Sequence, residues 1–237
     1  MEKPHLSIII PAYNEERRIC TTLDTVISYL RSQDYSWEIL VVDDGSVDDT
    51  AALAGEYADT ESGVRLERIP HDGKGAAVQF GMLQACGQYL FMCDADLSMP
   101  IDTLPLFLDK MVSGFDIVIG SRQVNGSRRF NESPSRHLRG RIFNWIVRMM
   151  TRTGIQDTQC GFKCFKRQTT IQLFEKQTTR GLAFDVEILY AASMLGMSIH
   201  ELPIDWYHSD HSKVRNFTDT LLMLRDVILV GLRGRHN

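Results

Sequence analysis

Short apolar runs alternate along this chain with longer segments of helical period. That alternation restricts the fold to an α/β sheet of mainly parallel strands covered by helices. Residues 7–10, 37–42, 64–69, 88–93 and 115–120 read as strands. After the first of these, Ile19, Leu23, Val26, Ile27 and Leu30 recur on one helical stripe. Asp48, Asp49 and Thr50 open the next helix, with acids in the first turn where the helix dipole favours them. A further helix is expected from the 71–75 turn to about residue 86.

Each strand ends in a polar loop. Pro11-Ala-Tyr13-Asn-Glu15-Glu follows the first and Asp43-Asp44-Gly-Ser the second. His71-Asp-Gly73-Lys74-Gly75 follows the third, Asp94-Ala95-Asp96-Leu-Ser98 the fourth, and Ser121-Arg122 the fifth. In an open parallel sheet the carboxyl ends of the strands share one edge, and ligands bind there. Residues far apart in sequence are thereby gathered in one crevice.

Among these loops the apolar run ending in Asp94 and Asp96 carries the most chemistry. Two hard oxygen ligands one residue apart suit Mg²⁺ or Mn²⁺, with the remaining positions left to water and substrate phosphates. Taken alone, such a pair is a common solvated turn. Asp44 reads either as a cap of the next helix or as an acceptor for a nucleobase N–H, with Asp43 as a cap or turn residue. Tyr13 reads as packing or as a stacking face. Gly73-Lys74-Gly75 lacks phosphate-loop spacing and reads as a turn. Arg122 is a surface residue or a diphosphate clamp.

Composition narrows the class. A net charge of −4 over 237 residues argues against a nucleic-acid partner. The five cysteines suit reduced thiols in a cytoplasmic compartment better than a disulfide framework. Cys160 and Cys164 read as core thiols, since no second Cys/His pair has zinc spacing. The N-terminal apolar run is too short for a secretory signal, and no segment approaches the roughly 18 to 20 apolar residues of a spanning helix.

As a set, PAYNEE, VVDDGSxDDT, KG, DADLSMP and GSR resemble glycosyltransferase family 2. The segments 157–166 and 184–190 narrow the resemblance to the polyprenyl-phosphate sugar transferases. The resemblance implies the GT-A fold, a Rossmann-like, mostly parallel sheet flanked by helices. It implies one domain over residues 1–237: a nucleotide-sugar half of about 1–122, an acceptor half of about 123–215 and an amphipathic helix of about 216–234. The implied reaction is metal-dependent, inverting transfer of a hexose, glucose from UDP-glucose, to a polyprenyl or dolichyl phosphate. GDP-mannose as donor and a saccharide hydroxyl as acceptor are the alternatives.

By the same resemblance Pro11, Tyr13, Glu15, Val42, Asp44 and Lys74 contact the nucleotide-sugar. Asp94, Ala95 and Asp96 take the diphosphate and the Mg²⁺ or Mn²⁺. Arg122, Arg136, Arg139 and Gln159 face the acceptor phosphate, with Asp157 beside Gln159 near the sugar. Asp96, Arg122, Asp185 and Lys213 form the catalytic set. Asp185, at the start of a helix over residues 183–195, is a base, an orienting group or a helix cap. Ser98 stands where mannose-transferring relatives often carry Gln, which disfavours mannose. His211-Ser212-Lys213 replaces the usual Gly-Ser-Lys, and His211 is a further metal-ligand candidate.

Between Arg122 and Arg152 the chain turns basic: Arg122, Arg128, Arg129, Arg136, Arg139, Arg141, Arg148 and Arg152 stand against Glu132 alone. Residues 125–135 read as a loop. Over 141–152, Arg141, Asn144, Arg148 and Arg152 fall on one helical stripe, and Ile142, Phe143, Trp145, Ile146, Met149 and Met150 fill the rest. A wide apolar arc with a basic face suits a helix lying at a membrane surface, or one packed on the core. The lipid acceptor implied by the resemblance favours the surface, at the cytoplasmic face of a membrane. Residues 160–166 read as a strand or hairpin, 198–204 as a strand and 205–213 as a loop. A last helix over 217–232 carries Leu221, Leu224, Ile228 and Leu232 on one face, and Arg225 and Asp226 make a bilayer crossing costly.

Overall fold

The computed structural model describes residues 3–131, 134–151, 153–207 and 217–233. The chain begins β1 (Leu6–Ala12), α1 (Ile19–Arg31), β2 (Trp37–Asp43), α2 (Thr50–Thr60), β3 (Val64–Arg68), α3 (Lys74–Gln84) and β4 (Tyr89–Met92). It continues with α4 (Leu104–Val112), β5 (Ile117–Ser121), β6 (Arg128–Phe130), α5 (Pro134–Thr151) and β7 (Lys163–Lys166). It closes with α6 (Arg167–Glu175), α7 (Phe184–Met194), β8 (Ile199–Pro203), β9 (Asp205–Tyr207) and α8 (Phe217–Arg233).

A 7-stranded sheet runs in the order β3-β2-β1-β4-β7-β5-β8. It is mostly parallel, as expected; β7 alone runs antiparallel, to both β4 and β5. Every residue of β1 is buried, because helices cover both faces and neither needs a polar alternation. The period of two sends Ile8, Ile10, Ile39, Val41 and Phe91 to the face packed by α1 and α4. Ile9, Leu40, Val42, Leu90 and Met92 go to the face packed by α3, α6 and α7. Phe91, Phe107 and Phe162 meet edge to face at the centre of the first layer.

Several expectations need correction. The 125–135 segment holds β6, and the loop expected from Asp205 begins as β9; the two pair as a small parallel sheet. Their backbone partners lie far away in sequence, in one another and in the loop after β4, so neither shows in local pattern. The basic helix α5 starts at Pro134, well before residue 141, with proline at a position where no N–H is missed. Its stripe is also different. Asn144 is buried beside Val147 and Thr151, and Val147 packs on Ala183, Val186 and Val227. Arg141 and Arg148 are exposed together with Ile142 (50 %), Trp145 (56 %) and Met149 (58 %). Arg152 lies outside the described residues.

Candidate active site

The loop after β4 is held from three sides. The hydroxyl of Thr22, on α1, donates to the Ala95 carbonyl at 2.7 Å. The Ser98 amide donates to Asp96 Oδ1 at 3.0 Å, and the Tyr207 amide of β9 donates to the Ser98 carbonyl at 2.8 Å. Leu97 takes a left-handed conformation (φ 43°) to make this turn. Asp94 and Asp96 are thereby fixed at the carboxyl edge of the sheet, both partly exposed.

Asp94 meets Lys74, the first residue of α3. The ammonium lies 2.6 Å from Asp94 Oδ1. That oxygen is sealed from solvent, and the contact is a charge pair without the alignment of a hydrogen bond. Oδ2 lies over Gly161, where a Cβ would approach within 2.2 Å. Glycine is thus required at 161 for the carboxylate to sit there. Burial disfavours the Lys74 charge, but Asp94 outweighs it, and the ammonium is raised to about 12. Burial likewise acts against ionised Asp94, yet Lys74 prevails and holds the carboxyl below its usual range.

A second buried pair stands beside the first. Lys163 on β7 is only 1 % exposed. Its ammonium lies 2.7 Å from Asp185 Oδ1 and donates to the Cys160 carbonyl. Asp185 occupies the first turn of α7. Burial raises its carboxyl above the ordinary value, and the attraction of Lys163 and Lys74 offsets that only in part.

Arg122, at the end of β5, is neither on the open surface nor loose. Fully buried Asp157 accepts from its backbone amide at 2.9 Å, from Nε at 2.7 Å and from the second guanidinium nitrogen at 2.8 Å. The guanidinium carbon stands 5.5 Å over the Trp206 ring. The Asp157 amide in turn donates to Glu201. Burial opposes the Asp157 charge, but Arg122 overrides it and brings the carboxyl down to about 2. Gln159 is half-buried two residues further on.

The loops after β1 and β2 are laced together. The Asn14 amide donates to the Ser46 hydroxyl, the Glu15 amide to the Thr50 hydroxyl, and the Val47 amide to Asn14 Oδ1. Pro11 and Val42 are buried in the ends of their strands, Ala95 is buried after β4, and Glu15 pairs with Arg18. Asp44 does not cap α2. Its buried carboxylate contacts His71 Nδ1 at 2.8 Å and accepts from the Asp72 amide at 2.9 Å and the Gly73 amide at 3.0 Å. It therefore organises the turn that leads into Lys74. Asp43 accepts from the Ser46 amide, the turn role expected of it. Tyr13 stacks on His71, rings 4.1 Å apart and 16° from parallel.

The structure thus draws Asp94, Asp96, Lys74, Asp185 and Arg122 to one region, with Asp44, Tyr13 and Glu15 along the same edge. Arg136 and Arg139 lie in the first turns of α5, and their side chains are outside the described set. Lys213 and His211 also lie outside the described residues. Sequence reasoning did not single out Lys163 or His71, nor the pairing of Asp157 with Arg122. The signal for Lys163 was present: a lone charge inside the apolar run Gly161-Phe-Lys-Cys-Phe165 has to be paired.

A helix-covered, mostly parallel sheet with paired acids at its carboxyl edge places the chain in a known class. Residues 7–174 match glycosyl transferase family 2, and the chain belongs to that family: it is a glycosyltransferase of the GT-A fold. Among its relatives are dolichyl-phosphate beta-glucosyltransferases. That of Dictyostelium discoideum is 35% identical over 243 residues, 97% of this chain and 74% of the relative. That of Homo sapiens is 32% identical over 247 residues, 96% of this chain and 75% of the relative. Among solved structures, glucosyl-3-phosphoglycerate synthase from Mycobacterium tuberculosis in complex with UDP matches with a TM-score of 0.70 at 23% identity. That match covers 97% of this chain and 79% of the other. A second crystal structure of that synthase, with Mn²⁺ and UDP-glucose, also has a TM-score of 0.70, at 21% identity.

Proposed function

We propose that this chain transfers glucose from UDP-glucose, with inversion, to dolichyl or another polyprenyl phosphate. The observation that carries the reading is the convergence of Asp94, Asp96, Lys74, Asp185 and Arg122 on one sheet edge, in a chain similar along nearly its whole length to dolichyl-phosphate beta-glucosyltransferases.

The donor set fits a divalent metal. Asp94 Oδ1 is buried without an aligned hydrogen bond, and the missing Cβ of Gly161 leaves space at Oδ2. Among the described residues no group of three or more His, Cys, Asp or Glu gathers, so the protein would offer two carboxylates and the donor would complete the shell, the pattern typical of Mg²⁺ with phosphates. Bound there, Mg²⁺ or Mn²⁺ supplies Lewis-acid neutralisation of charge growing on the departing diphosphate. Asp94 and Asp96 are its holders.

The chain's own residues do the rest. Lys74 reaches the same diphosphate. Arg122, aimed by Asp157, faces the phosphates with Arg136, Arg139, Gln159 and Lys213. Stabilising charge where it develops is the largest catalytic contribution in such sites. A lipid phosphate monoester, with a second pKa of about 6, arrives largely as the dianion and attacks without a base. Asp185 is therefore assigned to orienting the sugar or acceptor, with Lys163 setting its position. Pro11, Tyr13, Glu15, Val42 and Asp44 line the nucleotide side, Asp44 through the 71–73 turn.

The acceptor brings the chain to a bilayer. Among the described residues no helix is long and apolar enough to cross a membrane. The exposed Ile142, Trp145 and Met149 of α5, flanked by Arg141 and Arg148, with Ile228 and Leu229 of α8, form the surface assigned to peripheral docking on the cytoplasmic face. The whole chain is assigned to one domain.

The test is an assay with radiolabelled UDP-glucose, Mn²⁺ and detergent-solubilised dolichyl phosphate, with GDP-mannose and free sugars as controls. Label is expected in the organic phase from UDP-glucose alone, and Asp96→Ala is expected to lose activity by orders of magnitude while folding normally. Transfer only to free sugars, or near-normal turnover in that variant, would refute the reading.

A further inference from the structure

Among the described residues, Lys163 and Arg122 near the crevice each have an anion of their own, whereas Lys74 is paired with the carboxylate a metal would use. Lys163 lies on Asp185 and Arg122 on Asp157, whereas the Lys74 ammonium lies 2.6 Å from Asp94 Oδ1. The remaining oxygen of Asp94 occupies the space that a Cβ at residue 161 would fill. The charges of Asp185 and Asp96 also act on the Lys74 ammonium. A divalent ion approaching Asp94 meets a resident monovalent one.

The backbone under Lys74 is pinned. Gly73 adopts φ 101°, and a Cβ there would come within 2.7 Å of the Arg180 carbonyl. A Cβ on Gly75 would approach the carbonyls of Thr179, Arg180 and Gly181 at 2.7, 2.7 and 2.8 Å. The Ala76 amide donates to the Arg180 carbonyl at 3.1 Å. Only the four-carbon stem is left to move, and it carries a compact charge with rotatable donors. The Asp94 carboxylate is within its reach, and on the proposed reading a donor diphosphate is as well.

We infer that Lys74 is an internal counter-cation that couples metal loading to donor loading. Without a nucleotide it occupies Asp94 and opposes the divalent ion; a diphosphate draws it away, and metal and donor then enter as a unit. The inference rests on the reading of Asp94 and Asp96 as metal holders. It makes Lys74 a coupling residue as well as a diphosphate contact. One consequence is that the donor-free enzyme holds little metal that could act on the wrong phosphate.

The experiment is a Mn²⁺ titration followed by the electron paramagnetic resonance of the free ion, with and without UDP. Wild type, Lys74→Met and Asp96→Asn are compared, and circular dichroism melts check that each folds. UDP is expected to tighten Mn²⁺ binding to wild type by about tenfold or more, the scale on which a nearby like charge acts. Lys74→Met is expected to bind Mn²⁺ about tenfold more tightly than wild type without UDP, and to gain little when UDP is added. Lys74→Gln serves if the methionine variant does not fold. If the neutral variant binds Mn²⁺ no better than wild type while Asp96→Asn loses it, the metal site stands and the coupling is wrong. If wild type holds no Mn²⁺ even with UDP, or Asp96→Asn binds it normally, the metal reading fails and the coupling fails with it.

Discussion

Asp94 depends on a residue that has no side chain. Gly161→Ala places a methyl carbon 2.2 Å from Asp94 Oδ2, and overpacking of this kind costs about 1–3 kcal/mol. Asp94 is the movable partner, so the expected outcome is a fold that melts a few degrees lower and transfers sugar at a small fraction of the wild-type rate. Comparing initial rates with melting curves separates the two. Asp157 gives a pH signature instead. Its folded-state value of about 2 lies below the ordinary value of about 3.9. Its contribution is therefore complete above about pH 4 and is lost as pH falls toward 2, amounting to about 2 to 3 kcal/mol. Asp157→Asn is expected to flatten the loss of stability across that window, read by urea unfolding at successive pH values. The variant also removes the carboxylate that accepts from Arg122, so stability at neutral pH falls by about 3–5 kcal/mol. At this scale the paired acids after β4 were plain from spacing, as the abrupt end of an apolar run. What Asp44 holds was not, because its partners come from a turn 27 or more residues away in sequence.

Helix α5 turns Ile142, Trp145 and Met149 outward beside Arg141 and Arg148. Replacing Trp145 with Glu removes the largest exposed side chain there, and a surface change of this kind alters stability by less than about 0.5 kcal/mol. The variant is expected to lose most of its sedimentation with anionic vesicles while its melting temperature holds. Unchanged sedimentation would take α5 out of the docking surface. The elements differ in how visible they were beforehand. Strands β1, β2 and β4 declare themselves as continuous apolar runs, since both faces of the sheet are covered. Strands β6 and β9 do not: three residues each, they exist by pairing with one another. The inward stripe of α5 was misjudged for a related reason. Asn144 is buried on the side where Val147 packs on Val186 of α7 and Val227 of α8, neighbours that local periodicity cannot supply.

Over the whole molecule, the alternation of strand and helix and the gathering of loops at one edge were legible in advance. The antiparallel seam was not, because strand direction leaves no mark on a strand of four residues. Strand β7 lies between β4 and β5 and closes hydrogen bonds with each. Residues 163–166 thus insert into the middle of a sheet whose other strands precede them, apart from β8 at the far edge. During synthesis, β4 presents an open row of amides and carbonyls from the moment it forms until residue 166 has left the ribosome. An unpaired, flat, apolar edge is an invitation to other chains. A product ending near residue 122 is accordingly expected to aggregate, and one ending after α6 to stay largely dispersed, as read by light scattering of the two. The first four strands and β5 are thus joined through a strand that follows them in the chain. Its central seam is stitched by a thread that arrives late, and that thread carries the lysine that pairs with Asp185.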